Sequence, residues 1–91
     1  MVTAGQVKES IRRIITYIGD DPDREGLRDT PNRVLRSYEE IFSGYRQDPK
    51  DLLKVFEDGA CDEMVIVKDI PLTSFCEHHL LEFSGVAHVG Y

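Results

Sequence analysis

The sequence predicts an α+β fold, with helices first and a sheet after them. Two observations carry this. Apolar residues recur at the spacing of one helix face in two stretches before residue 45, and from Glu63 that period gives way to short β-branched runs. The composition, 41% hydrophobic and 31% charged over 91 residues, is that of a globular chain and suits one small domain. Residues 1–60 are expected to form its helical part and residues 61–91 the start of its sheet.

Val7, Ile11, Ile14, Ile15 and Ile18 fall at i, i+4, i+7, i+8 and i+11. They predict an amphipathic helix over residues 7–18 whose role is packing. Gly19 and Asp20-Asp21-Pro22 stop it. A polar connector over residues 23–29 leads to Thr30-Pro31, read as N-cap and first helical residue, because the donor that proline lacks is unpaired there in any case. Val34, Leu35, Tyr38, Ile41 and Phe42 form the apolar stripe of this second helix, and Ser43-Gly44 closes it with a glycine able to take positive φ. Asp48-Pro49 repeats the cap-then-proline signal, placing Leu52, Leu53 and Phe56 on a short third helix ended by Glu57-Asp58-Gly59. Cys61 reads as a small, half-buried residue.

Met64-Val65-Ile66-Val67 reads as a strand covered on both faces, broken or frayed by Asp69-Ile70-Pro71. Val86 to Tyr91 is a second strand, so residues 69–85 become a long connection of the kind that carries function. His88, inside the second strand, is expected to be a partly buried, hydrogen-bonded imidazole.

Within that connection, Cys76-Glu77-His78-His79 puts a thiol, a carboxylate and two imidazoles in four consecutive positions. Thiolate sulfur and imidazole nitrogen are the ligands zinc prefers, and Cys76 and His79, three residues apart, can converge on one ion. Glu77 and His78 lie between them and can handle protons beside it. A catalytic zinc site needs three protein ligands and a water, and the cluster offers two obvious ones. The same residues also read as a polar surface loop holding a stray thiol. Arg33 stands in the first turn of the second helix, the wrong sign for the helix dipole. It too has two readings: a solvated residue paired with Asp29 or Glu25, or a group reaching an anion near the helix start.

The run from Asp69 to Tyr91, with this cluster at its centre, resembles the zinc-site segment of the GTP cyclohydrolase I family. Glu25-Gly-Leu-Arg-Asp-Thr-Pro-Asn-Arg33 and Glu39-Glu-Ile-Phe-Ser-Gly-Tyr45 resemble the helical part of the same family, so the likeness runs in unbroken order over residues 20–91. Glu82 departs from it, many members carrying proline there. The resemblance implies N-terminal helices followed by the first strands of a tunnelling-fold (T-fold) antiparallel sheet, matched over about its N-terminal half and so apparently truncated. It implies Zn2+ held by Cys76 and His79, proton transfer to and from a purine ring by His78, an orienting role for Glu77 and a phosphate contact for Arg33. The implied reaction opens GTP by hydrolysis at C8 to give formate and 7,8-dihydroneopterin triphosphate, the entry to folate and related pterins. A ring-like homo-oligomer is implied with it. A second class stays beside this one: a non-catalytic remnant or interaction module that pairs through an exposed strand edge with a complete or complementary subunit.

The formal net charge of −6 argues against a nucleic-acid or membrane-surface binder, which would show a basic face. No stretch approaches the length of an apolar membrane span, and nothing near Met1 has the apolar core of a signal peptide. Two cysteines in such a chain point to a reducing compartment, and the expected location is the cytoplasm.

Overall fold

A computed structural model describes residues 1–54 and 62–91. They fall into two compact units, Met1–Ser43 and Gly44–Tyr91. Helices come first and an antiparallel sheet follows, the α+β order predicted from the change of period.

The first unit packs α1 (Ala4–Tyr17) against α2 (Thr30–Ile41). α1 begins three residues before the predicted start, because Thr3 closes a capping box. The Gln6 N–H donates to the Thr3 hydroxyl at 3.2 Å, and the Thr3 N–H donates to the Gln6 side chain at 2.9 Å. Two donors that the first turn leaves without helical partners are thereby paired. Thr3→Ala is expected to lower the stability of this unit by about 1 kcal/mol. Urea unfolding followed by helical circular dichroism reads this, and an unmoved midpoint would mean the box contributes nothing.

The other end of α1 follows the predicted stop. Gly19 takes φ 98°, its N–H reaches the Thr16 carbonyl, and the Asp20 N–H reaches the Ile15 carbonyl, both at 3.1 Å. This is the paired C-terminal closure that only glycine adopts without steric cost. Of the predicted stripe, Ile15 is buried and Val7 and Ile11 are half-buried, while Ile14 and Ile18 are exposed. One partner helix covers a narrower stripe than these five residues span.

The connector is tied down by charge. Arg12 donates to Asp23 at 2.8 Å, and Arg24 donates to both Asp20 oxygens at 2.8 and 3.2 Å. The Arg24 hydrogen bond, and after it the Asp21 backbone N–H, hold the Asp20 carboxyl below its usual range.

The N-cap of α2 is Asp29 rather than Thr30, and its side chain makes no capping bond. Asp29 lies in the helical region (φ −92°, ψ −2°), whereas a side-chain cap requires the extended conformation. Pro31 is buried, and Val34, Leu35, Ile41 and Phe42 are half-buried. Tyr38 is exposed, with its ring edge-on to Phe42 at 5.3 Å between centroids. The closing role assigned to Gly44 is not seen. α2 ends at Ile41, Gly44 lies inside a 3₁₀ turn over Ser43–Arg46, and its φ is not positive.

Where a third helix is predicted, the described residues hold a 3₁₀ turn, Pro49–Leu52, with the Asp48 carboxylate accepting the Lys50 N–H at 3.0 Å. The Asp48-Pro49 cap signal holds, and the turn ends where Leu53 becomes extended (φ −75°, ψ 127°). Leu52 and Leu53 are exposed. The predictions for Phe56, Glu57 to Gly59 and Cys61 fall outside the described residues.

The second unit is a hairpin of β1 (Ile66–Phe75) and β2 (Glu82–Gly90). Both strands are longer than predicted, and the long connection shrinks to a turn over residues 76–81. Asp69-Ile70-Pro71 does not end β1. It forms a bulge, with Val67 opposite Val89 and Ile70 opposite Ala87, so that Lys68 and Asp69 together face His88. The extra residue restores the alternation: Val67, Ile70 and Leu72 share one face with Val89, Ala87 and Phe83. Coverage on both faces is also not found. Val67, Leu72, Phe83 and Val89 are 37–50% exposed, since among the described residues the two strands pair only with each other. Among the described residues, no helix is long and apolar enough to cross a membrane.

Candidate metal centre

The cluster sits at the tip of the hairpin, and backbone bonds at both ends define its shape. The Cys76 N–H donates to the Leu81 carbonyl and the Leu80 N–H donates to the Cys76 carbonyl, both at 2.8 Å. The second bond spans four residues, so Glu77, His78 and His79 make a single helical turn. Leu80 then reverses the chain at φ 54°, a left-handed conformation that costs a non-glycine residue about 1–2 kcal/mol. A helical turn brings residues three apart onto one side.

Cys76 Sγ and His79 Nδ1 are 3.9 Å apart. Zinc bound tetrahedrally at its usual bond lengths separates a sulfur and a nitrogen ligand by about 3.6 Å, so a small rotation of either side chain suffices. His78 Nδ1 lies at the same 3.9 Å from the sulfur. Residue spacing distinguishes His79 from His78, whereas the folded turn brings both imidazoles to the thiol, their rings 6.4 Å apart. That equivalence depends on side-chain rotamers and carries no signal in the sequence. Cys76 is half-buried, and the two histidines are exposed.

Glu77 Oε1 stands 3.8 Å from His78 Nε2, beyond hydrogen-bond reach. Both side chains are open to solvent, where such a pair is weak. Among the described residues, no three His, Cys, Asp or Glu side chains are placed to hold a metal ion together. The chemistry of the donor set therefore fits zinc as part of a site: one sulfur and one imidazole nitrogen within bite, with a further ligand required.

Arg33 belongs to the helical unit. Its side chain is exposed and makes no ion pair among the described residues, so neither Asp29 nor Glu25 partners it. His88 is exposed rather than partly buried, but it is hydrogen-bonded as expected: its Nδ1 accepts the Asp69 N–H at 2.9 Å.

Comparison with known proteins gives a consistent result. A sequence model of the family described as GTP cyclohydrolase I matches residues 7–91. GTP cyclohydrolase 1 of Caldanaerobacter subterraneus subsp. tengcongensis is 56% identical over 91 residues, which is 100% of this chain and 48% of that protein. GTP cyclohydrolase 1 of Acetivibrio thermocellus is likewise 56% identical over 91 residues, covering 49% of its length. For GTP cyclohydrolase 1 of Mycolicibacterium vanbaalenii the identity is 57% over 86 residues, 94% of this chain and 43% of the relative. The chain thus spans about half the length of the curated relatives it matches.

Proposed function

The chain belongs to the GTP cyclohydrolase I family, and on that premise we propose that it supplies the metal-binding turn and a phosphate-binding helix to a zinc hydrolase. The reaction is the conversion of GTP and water to formate and 7,8-dihydroneopterin triphosphate. The observation that carries the reading is the hairpin tip, which holds Cys76 Sγ 3.9 Å from His79 Nδ1 on one helical turn.

In this reading Cys76 and His79 hold the ion. When bound, zinc supplies a water acidified toward neutral pH for attack on an electron-poor carbon. His78, on the same turn and exposed to solvent, gives protons to and takes them from the purine ring. Glu77, 3.8 Å from the outer nitrogen of His78, closes to hydrogen-bond distance and orients that ring. Arg33, uncommitted to any carboxylate among the described residues, binds the triphosphate with its forked donors. We place the enzyme in the cytoplasm as a homo-oligomer, whose further copies or chain length bring the third zinc ligand.

The test is a protein carrying this chain within the full length of the family pattern. Supplied with zinc and GTP, it should release formate and give pterin fluorescence. In that protein Arg33→Ala should raise the KM for GTP about tenfold, the loss of one charge-assisted contact, while Arg46→Ala leaves it within about twofold. Equal effects from the two substitutions would return Arg33 to a solvated residue.

A second reading keeps some support from the uncovered apolar face of the hairpin, centred on Val67, Leu72, Phe83 and Val89. It makes the chain a non-catalytic module that pairs with a complete or complementary subunit. Zinc-loaded, correctly assembled protein that releases no formate would favour it.

A further inference from the structure

We propose that His88 is the positioning residue that sets the register of the metal-binding turn, by accepting the backbone hydrogen bond that the β1 bulge leaves free. This rests on the reading of the turn as a zinc site only for its consequence, not for its geometry.

The bulge has a specific cost. Two residues of β1, Lys68 and Asp69, face one of β2, so one backbone donor loses its ladder partner. That donor is the Asp69 N–H, on a residue at φ 56°. His88 Nδ1 takes it at 2.9 Å from directly across the strand pair. Because a backbone N–H is the donor, Nδ1 accepts with its lone pair. The charged groups beside it on β1 are Lys68 and Asp69, and Glu82 begins the strand that carries it.

The alternative to the bulge is plain from the pairing. Val67 opposite Val89, continued without an extra residue, puts Lys68 opposite His88, Phe75 opposite Leu81 and Cys76 opposite Leu80. The turn then shrinks to Glu77, His78 and His79, and Cys76 is drawn into the ladder. Ile70 and Leu72 also change faces, as a one-residue slip always dictates. In the observed register Phe75 pairs with Glu82, and Cys76 is released to cap the helical turn. An acceptor at position 88 thus favours the register in which the thiol and imidazoles meet. It acts from the far end of the hairpin.

Two substitutions separate this role from simple packing. Asn places an oxygen where His has Nδ1, whereas Leu keeps comparable bulk with no acceptor. In the full-length protein, NMR should show cross-strand contacts between Phe75 and Glu82 and a slowly exchanging Asp69 amide. His88→Leu should lose the amide protection and weaken or shift the Phe75–Glu82 contacts toward Phe75–Leu81. His88→Asn should retain both. Zinc affinity, read by competition with a chelator, should fall about tenfold or more in the Leu variant and recover in the Asn variant. Unfolding of His88→Leu beside a folded, correctly paired His88→Asn also supports an acceptor role. Retention of the Phe75–Glu82 pairing and of Asp69 protection in His88→Leu would overturn the proposal, as would failure of both variants to fold. A wild-type turn that binds no zinc but shows the register dependence would sink the metal reading and leave the role of His88 standing.

Discussion

Replacing Cys76 by serine in the full-length protein is expected to abolish tight zinc binding and, with it, formate release. A serine hydroxyl stays protonated where a thiol ionises onto zinc, and the softer sulfur donor is lost altogether. Losing a partner that merely orients a zinc ligand costs roughly 10–100-fold in affinity, so losing a ligand should exceed that. The histidines then give the sharper comparison, because both stand 3.9 Å from the sulfur. His79→Ala should match Cys76→Ser in zinc content, measured by elemental analysis after dialysis. His78→Ala should keep its zinc and lose turnover. The reverse pattern would exchange the roles of the two imidazoles, and zinc retained in all three variants would remove the turn from the metal site.

The 91 residues prepared by themselves, mixed with zinc and GTP, are expected to release no formate above background. Catalytic zinc is typically held by three protein ligands, and no such trio is present among the described residues. Each preorganised ligand adds to affinity, so a mild chelator should strip the ion readily. The relatives that this chain matches at 56% identity are about twice as long. Whatever that further length contributes to gripping the substrate is missing as well, and correct positioning is worth about 7–11 kcal/mol of a reaction barrier. Supplying the remaining family segment in trans should restore zinc retention and formate release together. Robust turnover by the 91 residues, abolished by Cys76→Ser, would overturn this and require the third ligand to come from within the chain or from a second copy.

Much of the molecule is legible in the sequence where the signal is local. The stop of α1 at Gly19 needs only a residue that tolerates positive φ, and the chain has one at that point. The order of helices before strands follows from the change of hydrophobic period. The 3.9 Å between Cys76 Sγ and His79 Nδ1 is what a spacing of three residues on one turn gives. Some local signals lie outside the hydrophobic period, as with the Thr3 and Gln6 box that moves the start of α1 to Ala4.

What only the tertiary structure decided depends on residues distant in sequence. Asp69-Ile70-Pro71 carries the composition of a strand break, and it becomes a bulge because β2 lies alongside and His88 receives the freed donor. The same pairing extends both strands inward and compresses a long connection into a tight turn, on which His78 stands as close to the thiol as His79. A periodic pattern records which face a residue prefers. It does not record what covers that face, and so Ile14 and Ile18 are exposed beside the buried Ile15. Residue types and spacing determined the chemistry available to this protein, while cross-strand hydrogen bonding, the balance of every backbone donor against an acceptor, decided where that chemistry is held.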